Sequence, residues 1–314
     1  MIDLHIDGLS TFSGGEYNRV TVDGTGTCSG NLVCEYISVD GTCAVEGDAA
    51  ASNVSIDGST AIKGNLSVDE KLSVDGSLSV KGTLRTNTLR VDGSLSVNAE
   101  LYAENISTDG SVSVQSDTYS HEMHVDGAYH TGGLLESQKI TIDGALSCRD
   151  LRAGTVRCDG KLSVLNSFYA ADAHIDGILE SSGNIEAETF CAEGYVTAHG
   201  QISADKVEIY GMVHADEIVG DRILIDLDTR PRSIRRIAKF FETLMNKKPE
   251  EKKLCANLIE ATTIELTGVT AVTVSGENIT IGPDCCIEHL ECSGKYSIDG
   301  SSTVRTINGE PYMP

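Results

Sequence analysis

Apolar residues recur along the chain in pairs with one residue between the two members, and the set of pairs repeats at a spacing of about 17 residues. In the copy at residues 74–90, VDGSLSVKGTLRTNTLR, they occupy positions 1, 5, 7, 11 and 16, counting Val74 as position 1. Alternate residues on a strand point to the same side, so each pair predicts a short strand. Three strands per repeat, separated by corners at Gly76 and Gly82, predict an all-β, three-sided β-solenoid with 17-residue coils.

Stacked coils would place similar side chains above one another at about 4.8 Å, the spacing of hydrogen-bonded strands. Two inward columns are therefore predicted to form core ladders. Position 1 gives Ile6, Val22, Val39, Ile56, Val74, Val91, Thr108, Val125, Ile142, Cys158, Ile175, Ala192 and Ile209. Position 7 gives Phe12, Cys28, Val45, Ile62, Val80, Val97, Val114, Thr131, Cys148, Val164, Ser181 and Ala198.

An Asp-Gly pair marks one corner of most repeats. The pairs begin at Asp7, Asp23, Asp40, Asp57, Asp75, Asp92, Asp109, Asp126, Asp143, Asp159 and Asp176. The pair suits a tight corner with positive φ at Gly and an Asx-type hydrogen bond from the carboxylate. The alternative is a column of carboxylates that binds cations, as the formal net charge of −23 would favour. Turn chemistry is the preferred interpretation, because the nine-residue glycine-rich calcium repeat is not matched.

Composition fits a solenoid and limits the other classes. Aromatic residues make up 5% of the chain, Trp is absent, and no Pro precedes Pro231, as expected where most backbone N–H groups belong to ladders. The first residues show neither a basic nor an apolar signal region, and no transmembrane run occurs, which predicts a cytoplasmic protein with reduced cysteines. Cys285, Cys286 and Cys292 are clustered but lack the paired spacing of a zinc site, so neither metal nor cofactor is predicted.

Outward positions become more varied between residues 100 and 137. A possible recognition stripe there comprises Tyr102, Tyr119, His121, His124, Tyr129 and His130. Isolated surface His and Tyr residues on a strand usually have no special function, and we prefer to interpret these six residues in that way.

The repeat breaks in a basic stretch, so we divide the chain into coils at 1–221, an insertion at 222–258 and further coils at 259–314. The stretch from Arg222 to Lys253 contains ten basic residues and five acidic ones. Residues 233–245 have apolar residues at helical spacing and predict an amphipathic α-helix. Its candidate membrane or partner residues are Ile234, Arg235, Arg236, Ile237, Lys239, Phe241 and Leu244. The helix could lie in an anionic inner-membrane surface or pack on the acidic solenoid, and packing is preferred.

Three features together resemble the bactofilin family of bacterial polymer-forming cytoskeletal proteins. They are the Asp-Gly coils, ADEIVGDRI at residues 215–223, and GENITIGPDCCIEHLECSGKYSIDG at residues 276–300. The resemblance implies a right-handed, three-sided parallel β-helix that polymerises end to end without nucleotide, often at the membrane, as a scaffold. The family core is shorter, and this chain adds coils and the insertion.

Each end of a solenoid presents strand edges that must be capped or joined. Ile2, Leu4, Ile6 and Phe12 are predicted to stack on a second copy, with a frayed or loop-covered end as the alternative. Acyltransferase and polysaccharide-lyase interpretations fail, because the hexapeptide period is missing and the corners are too short to build a catalytic pocket. Nucleic acid is not expected, since its phosphates would meet an acidic surface.

The predicted function is a non-enzymatic scaffold that self-assembles into cytoskeletal filaments without nucleotide. The alternative is a monomeric adaptor that binds a client protein, or the membrane through the inserted helix.

Overall fold

A computed structural model describes residues 2–227 and 255–312. The chain is an all-β parallel β-solenoid of about 16 coils with a 17-residue repeat, and the described residues contain no helix. The prediction of a 17-residue β-solenoid is confirmed at this level. Two units are present, Met1–Arg152 and Ala153–Pro314, and each is considered by itself.

The first unit alternates longer and four-residue strands. Its strands are β1 (Leu4–Ile6), β2 (Leu9–Phe12), β3 (Gly15–Val22), β4 (Thr25–Cys28), β5 (Leu32–Val39), β6 (Thr42–Val45), β7 (Ala49–Ile56), β8 (Ser59–Ile62), β9 (Leu66–Val74), β10 (Ser77–Val80), β11 (Leu84–Val91), β12 (Ser94–Val97), β13 (Leu101–Thr108), β14 (Ser111–Val114), β15 (Thr118–Val125), β16 (Ala128–Thr131), β17 (Leu134–Ile142) and β18 (Ala145–Cys148).

Strands in the first unit pair in parallel with the equivalent strand one coil away. The long strand β11 lies between β9 and β13, with Leu89 opposite Leu72 on one side and Ile106 on the other. The short strand β10 lies between β8 and β12 in the same way. Equivalent repeat positions are therefore in register from coil to coil.

In the second unit the same alternation holds at first and then gives way to longer strands. Its strands are β19 (Asp150–Cys158, beginning at the end of the first unit), β20 (Lys161–Val164), β21 (Phe168–Ile175), β22 (Ile178–Ser181), β23 (Ile185–Ala192), β24 (Tyr195–Ala198), β25 (Gln201–Ile209), β26 (Met212–Asp226), β27 (Ala256–Thr267), β28 (Thr270–Ile281), β29 (Cys286–Ile298), β30 (Thr303–Ile307) and β31 (Glu310–Pro311).

The strands on either side of residues 228–254 in the sequence are neighbours, because β26 pairs in parallel with β27. Beyond that point the coils change length. Ile259, Val274, Leu290 and Ile307 are aligned in successive strands, so each step along the chain is slightly longer than the step before it. The last pairing is antiparallel, between β30 and the two-residue β31.

Inward side chains form the core of each unit. Every member of the two predicted columns, at positions 1 and 7, is buried. The alternation of buried and exposed residues breaks once inside the long strands: in β13 the buried residues are Leu101, Ala103, Ile106 and Thr108, with two exposed residues between the pairs. The predicted core columns are confirmed.

The Asp-Gly corners are held by bonds between coils. The N–H groups of Asp92 and Gly93 both donate to the Val74 carbonyl one coil before, at 2.9 Å each. The predicted positive φ at Gly is wrong, because the positive-φ glycines among the described residues are Gly15, Gly268 and Gly309. A Cβ on Gly93 would lie 2.0 Å from the Gly76 carbonyl oxygen, so Gly is required by the close approach of successive coils.

Candidate functional site

The predicted assembly residues lie in the first coil but do not share one surface. Ile6 and Phe12 are 4% and 9% exposed and belong to the core of their own coil, whereas Ile2 is 75% exposed and Leu4 is half-buried. Phe12 also packs edge-on against Tyr17, with ring centroids 6.1 Å apart. Leu9 is 88% exposed and was missed by the sequence pattern, because its outward repeat position carries polar residues in the neighbouring coils.

The first coil also presents backbone donors. Elsewhere in the first unit the corner N–H groups donate to the coil before, as Asp23 and Gly24 do to the Ile6 carbonyl at 2.9 and 3.0 Å. Among the described residues no coil precedes Asp7 and Gly8. Their N–H groups therefore point to an edge that the described part of the chain does not cover.

The second predicted site falls outside the described residues. It consists of Ile234, Arg235, Arg236, Ile237, Lys239, Phe241 and Leu244. The described part of the chain has no helix long and apolar enough to cross a membrane.

The corner carboxylates of the first unit interact with one another along the stack. Desolvation, followed by hydrogen bonds shared with Asp40 and Asp75, raises the pKa of Asp57. A hydrogen bond with Asp92 is the main reason that the pKa of Asp109 is raised. Desolvation opposes ionisation of Asp92, but hydrogen bonds with Arg90 and Asp109 outweigh it and lower its pKa. The pKa is therefore raised at some corner carboxyls, such as Asp57 and Asp109, and lowered at another, Asp92.

Two corners add a histidine to this column. His124 Nε2 lies 3.2 Å from Asp126 Oδ2 and 3.8 Å from Asp143 Oδ2. His5 Nε2 lies 2.6 Å from Asp7 Oδ1 and 3.5 Å from Asp23 Oδ2. In each group the three donor atoms lie within 4.8 Å of one another, and within the described residues these are the groups with the geometry to hold a metal ion.

The sequence carries a signal for these two histidine–aspartate groups. Both histidines stand two places before the Asp of a corner, in HIDG and HVDG, and another Asp-Gly corner follows one repeat later. The predicted cysteine cluster behaves differently: Cys285 and Cys292 are buried, Cys286 is exposed, and Cys292 Sγ donates to the Glu277 carbonyl at 3.3 Å.

The suspected recognition stripe is only partly at the surface. Tyr102 stacks on Tyr119 with centroids 5.0 Å apart, and the Arg85 guanidinium lies 3.9 Å above the Tyr102 ring. His121 and His130 are exposed. Placing Tyr129 on the outside was wrong: it is 1% exposed, in the same inward column as Leu78 and Leu95, and shares a hydrogen bond with Thr118 at 3.2 Å.

Each unit also carries an open groove. The groove in the first unit, about 560 Å³, includes Arg90, Glu122, His124 and Lys139, and Lys139 pairs with Glu122 at 2.6 Å. The groove in the second unit, about 610 Å³, is lined by Glu260, Glu277 and Glu291 beside the small Gly220, Ala261 and Gly276. The first groove is of mixed charge, and the second is acidic.

Comparison with known proteins gives a partial match. The chain is 36% identical over 104 residues to "Uncharacterized protein YhbE" of Bacillus subtilis (strain 168), which covers 32% of this chain and 43% of that protein. The match therefore spans less than half of the length of this relative. No family model and no solved structure matches the chain.

Proposed function

We propose that this protein is a non-enzymatic scaffold that self-assembles end to end into cytoskeletal filaments without nucleotide, as its resemblance to bactofilins suggests. The observation that carries the proposal is the edge of the first coil. The N–H groups of Asp7 and Gly8 occupy the places of donors that bond to a preceding coil everywhere else in the first unit. A second copy that supplies strands in this register would satisfy them.

The finer architecture in this proposal is a right-handed, three-sided β-helix with an amphipathic helix inserted at residues 233–245. Support for three sides comes from the break in burial alternation within long strands such as β13, which together with the short strand β14 divides a coil into three inward-facing pairs. Handedness and the helix come from the family resemblance and from the sequence pattern respectively.

We propose a cytoplasmic location for the assembly. None of the ten cysteines, all of which lie in the described residues, forms a disulfide, and most are buried. Burial raises the pKa of Cys43 to about 11 and that of Cys34 to about 12, so these thiols stay protonated and unreactive at neutral pH. Buried cysteines at core positions that form no disulfide suit a reducing compartment.

The test is negative-stain electron microscopy of the purified full-length protein at moderate salt, with and without ATP or GTP. We expect thin unbranched filaments in both conditions. Uniform separate particles would overturn the proposal and favour the alternative of an adaptor that binds a client protein or the membrane.

Two substitutions locate the interface. Gly8→Ala should keep the fold, since a Cβ there has nothing within 4 Å, whereas a Cβ on Gly24 would lie 2.4 Å from the Gly8 carbonyl oxygen. A copy stacked in register would meet the new methyl group, so filaments should be lost. Leu9→Lys should also abolish them, while the matched change Leu165→Lys, at another exposed leucine, should not. Filaments in all three variants would exclude the first coil as the interface.

A further inference from the structure

The stacked corners place a side chain that can carry positive charge between two carboxylates of successive coils. The residue two places before a corner Asp points outward on the long strand, close to that Asp and to the Asp of the next corner. In the first unit this position is occupied by His5, Arg90 and His124 in three of the coils.

Arg90 shows that the position accepts a cation. Its Nη2 atom lies 3.1 Å from Asp92 Oδ2 and 3.3 Å from Asp109 Oδ2, so one guanidinium bridges two coils. This is an observation independent of the histidines. At this corner the Arg90 guanidinium itself places positive charge between the carboxylates of Asp92 and Asp109.

The histidines offer a different chemistry at the same place, because imidazole supplies a nitrogen ligand and leaves room for an ion. We propose that His124, Asp126 and Asp143 bind one divalent transition-metal ion such as Zn²⁺, and that His5, Asp7 and Asp23 bind a second. One nitrogen and two carboxylate oxygens form a donor set that Zn²⁺ accepts, with water completing the tetrahedron.

The spacing of the donor atoms fits this assignment. Zn²⁺ bonds of about 2.1 Å in a tetrahedron place neighbouring ligand atoms about 3.4 Å apart. At His124 the two distances from nitrogen to carboxylate oxygen, 3.2 and 3.8 Å, lie on both sides of that value. At His5 one distance is 3.5 Å, but His5 Nε2 and Asp7 Oδ1 are in direct contact at 2.6 Å and must separate by about 0.8 Å to bind an ion together. A nitrogen donor favours transition metals over Ca²⁺ and Mg²⁺, which prefer sets of oxygen ligands. The bound ion would link two coils through their facing carboxylates.

Isothermal titration of the untagged full-length protein with ZnCl₂ in a non-chelating buffer tests the proposal. We expect about two ions per chain, about one for His5→Ala or for His124→Ala, and none at the same concentrations for the double variant. Asp143→Asn, which keeps the histidine, should weaken one binding event by about tenfold or more. Circular dichroism checks that each variant is folded.

His174 provides the matched control. It also stands in an HIDG sequence, but the next corner is Glu193-Gly194, and within the described residues His174 belongs to no group of three metal ligands. His174→Ala should therefore bind two ions, as the unsubstituted protein does. Failure of the unsubstituted protein to bind Zn²⁺, or equal binding by the His5→Ala/His124→Ala double variant, would overturn the proposal. Equal binding by the double variant would indicate ions held loosely by the acidic surface.

Discussion

The regular coils of the first unit and the last coils of the second both bury a column of aliphatic side chains, but their Asp-Gly corners differ. Around Val74 each coil has a short strand, a long strand and an Asp-Gly corner, and both corner N–H groups donate to one carbonyl in the coil before. After residue 255 the strands β27, β28 and β29 are 12 or 13 residues long, and the steps between aligned residues differ from one coil to the next. The Asp299-Gly300 corner there is a local turn, in which Ser302 N donates to the Asp299 carbonyl.

The difference indicates which part of the repeat sets the period. Both regions have columns of buried aliphatic residues. Examples are Leu72, Leu89 and Ile106 in the regular coils, and Ile264 and Ile279 in the last coils. In the regular coils of the first unit both N–H groups of an Asp-Gly corner donate to the coil before, whereas at Asp299-Gly300 the bond to the coil before is that of the Asp299 N–H to the Ile281 carbonyl, at 2.8 Å. The core therefore tolerates a variable coil length, and the stacked corners hold that length nearly constant.

The largest expected contrast is between two glycines of Asp-Gly pairs. A Cβ at Gly76 would lie 2.0 Å from the Gly58 carbonyl oxygen and 2.3 Å from that of Asp57, whereas a Cβ at Gly300 meets nothing within 4 Å. Gly76→Ala should lower the free energy of unfolding by about 3–5 kcal/mol, because backbone of two coils must move apart. Gly300→Ala should change it by less than about 0.5 kcal/mol. Urea denaturation followed by circular dichroism measures both, and equal effects would refute this account of the corner.

The core should not show that contrast. Leu89 and Ile279 are both fully buried, one in each region. Truncation of either to Ala removes buried methyl groups and leaves a cavity, so each should cost about 2–5 kcal/mol in the same denaturation assay. Leu165→Ala, at an exposed position, is the control and should change stability by about 0.5 kcal/mol or less. A small effect at Ile279 alone would mean that the shorter coils are loosely packed.

The sequence predicted the inward columns well, because burial of a strand face imposes period two on side chains such as Val74, Leu78 and Val80. It failed where the constraint lies between coils. The requirement for Gly76 comes from the Gly58 carbonyl in the preceding coil. The histidine groups were missed for the same reason, since Asp143 approaches His124 only when the coils stack. Tyr129 is a different case, because it stands at position 5 of the copy that begins at Val125, the inward position that Leu78 holds, so the repeat itself indicated its burial.

The smallest expected contrast concerns the corner carboxylates and has opposite signs in the two regions. The raised pKa of Asp57, caused by desolvation and then by hydrogen bonds with Asp40 and Asp75, means that the folded state binds its proton more tightly than the unfolded chain. Its contribution to stability is therefore present at low pH and is lost as the pH rises through the folded-state pKa. At Asp299 hydrogen bonds from the Ser301 hydroxyl and N–H lower the pKa, so its contribution is present at neutral pH and is lost as the pH falls through the folded-state value.

Substitution by Asn separates these two cases. At pH 7 Asp57→Asn should raise Tm slightly, because it removes a charge from a column of like charges, while Asp299→Asn should lower Tm slightly, because it removes the charged acceptor. As the pH falls through the folded-state pKa of each carboxyl, that side chain becomes neutral like the Asn that replaces it, and both differences should shrink. Both side chains are at the surface, so solvent and salt screen the effects, and scanning calorimetry at low ionic strength is the appropriate measurement. A shift of the same sign at both residues would mean that the corner at Asp57, which lies between other corner carboxylates, and the turn at Asp299 share one electrostatic environment, contrary to their geometry.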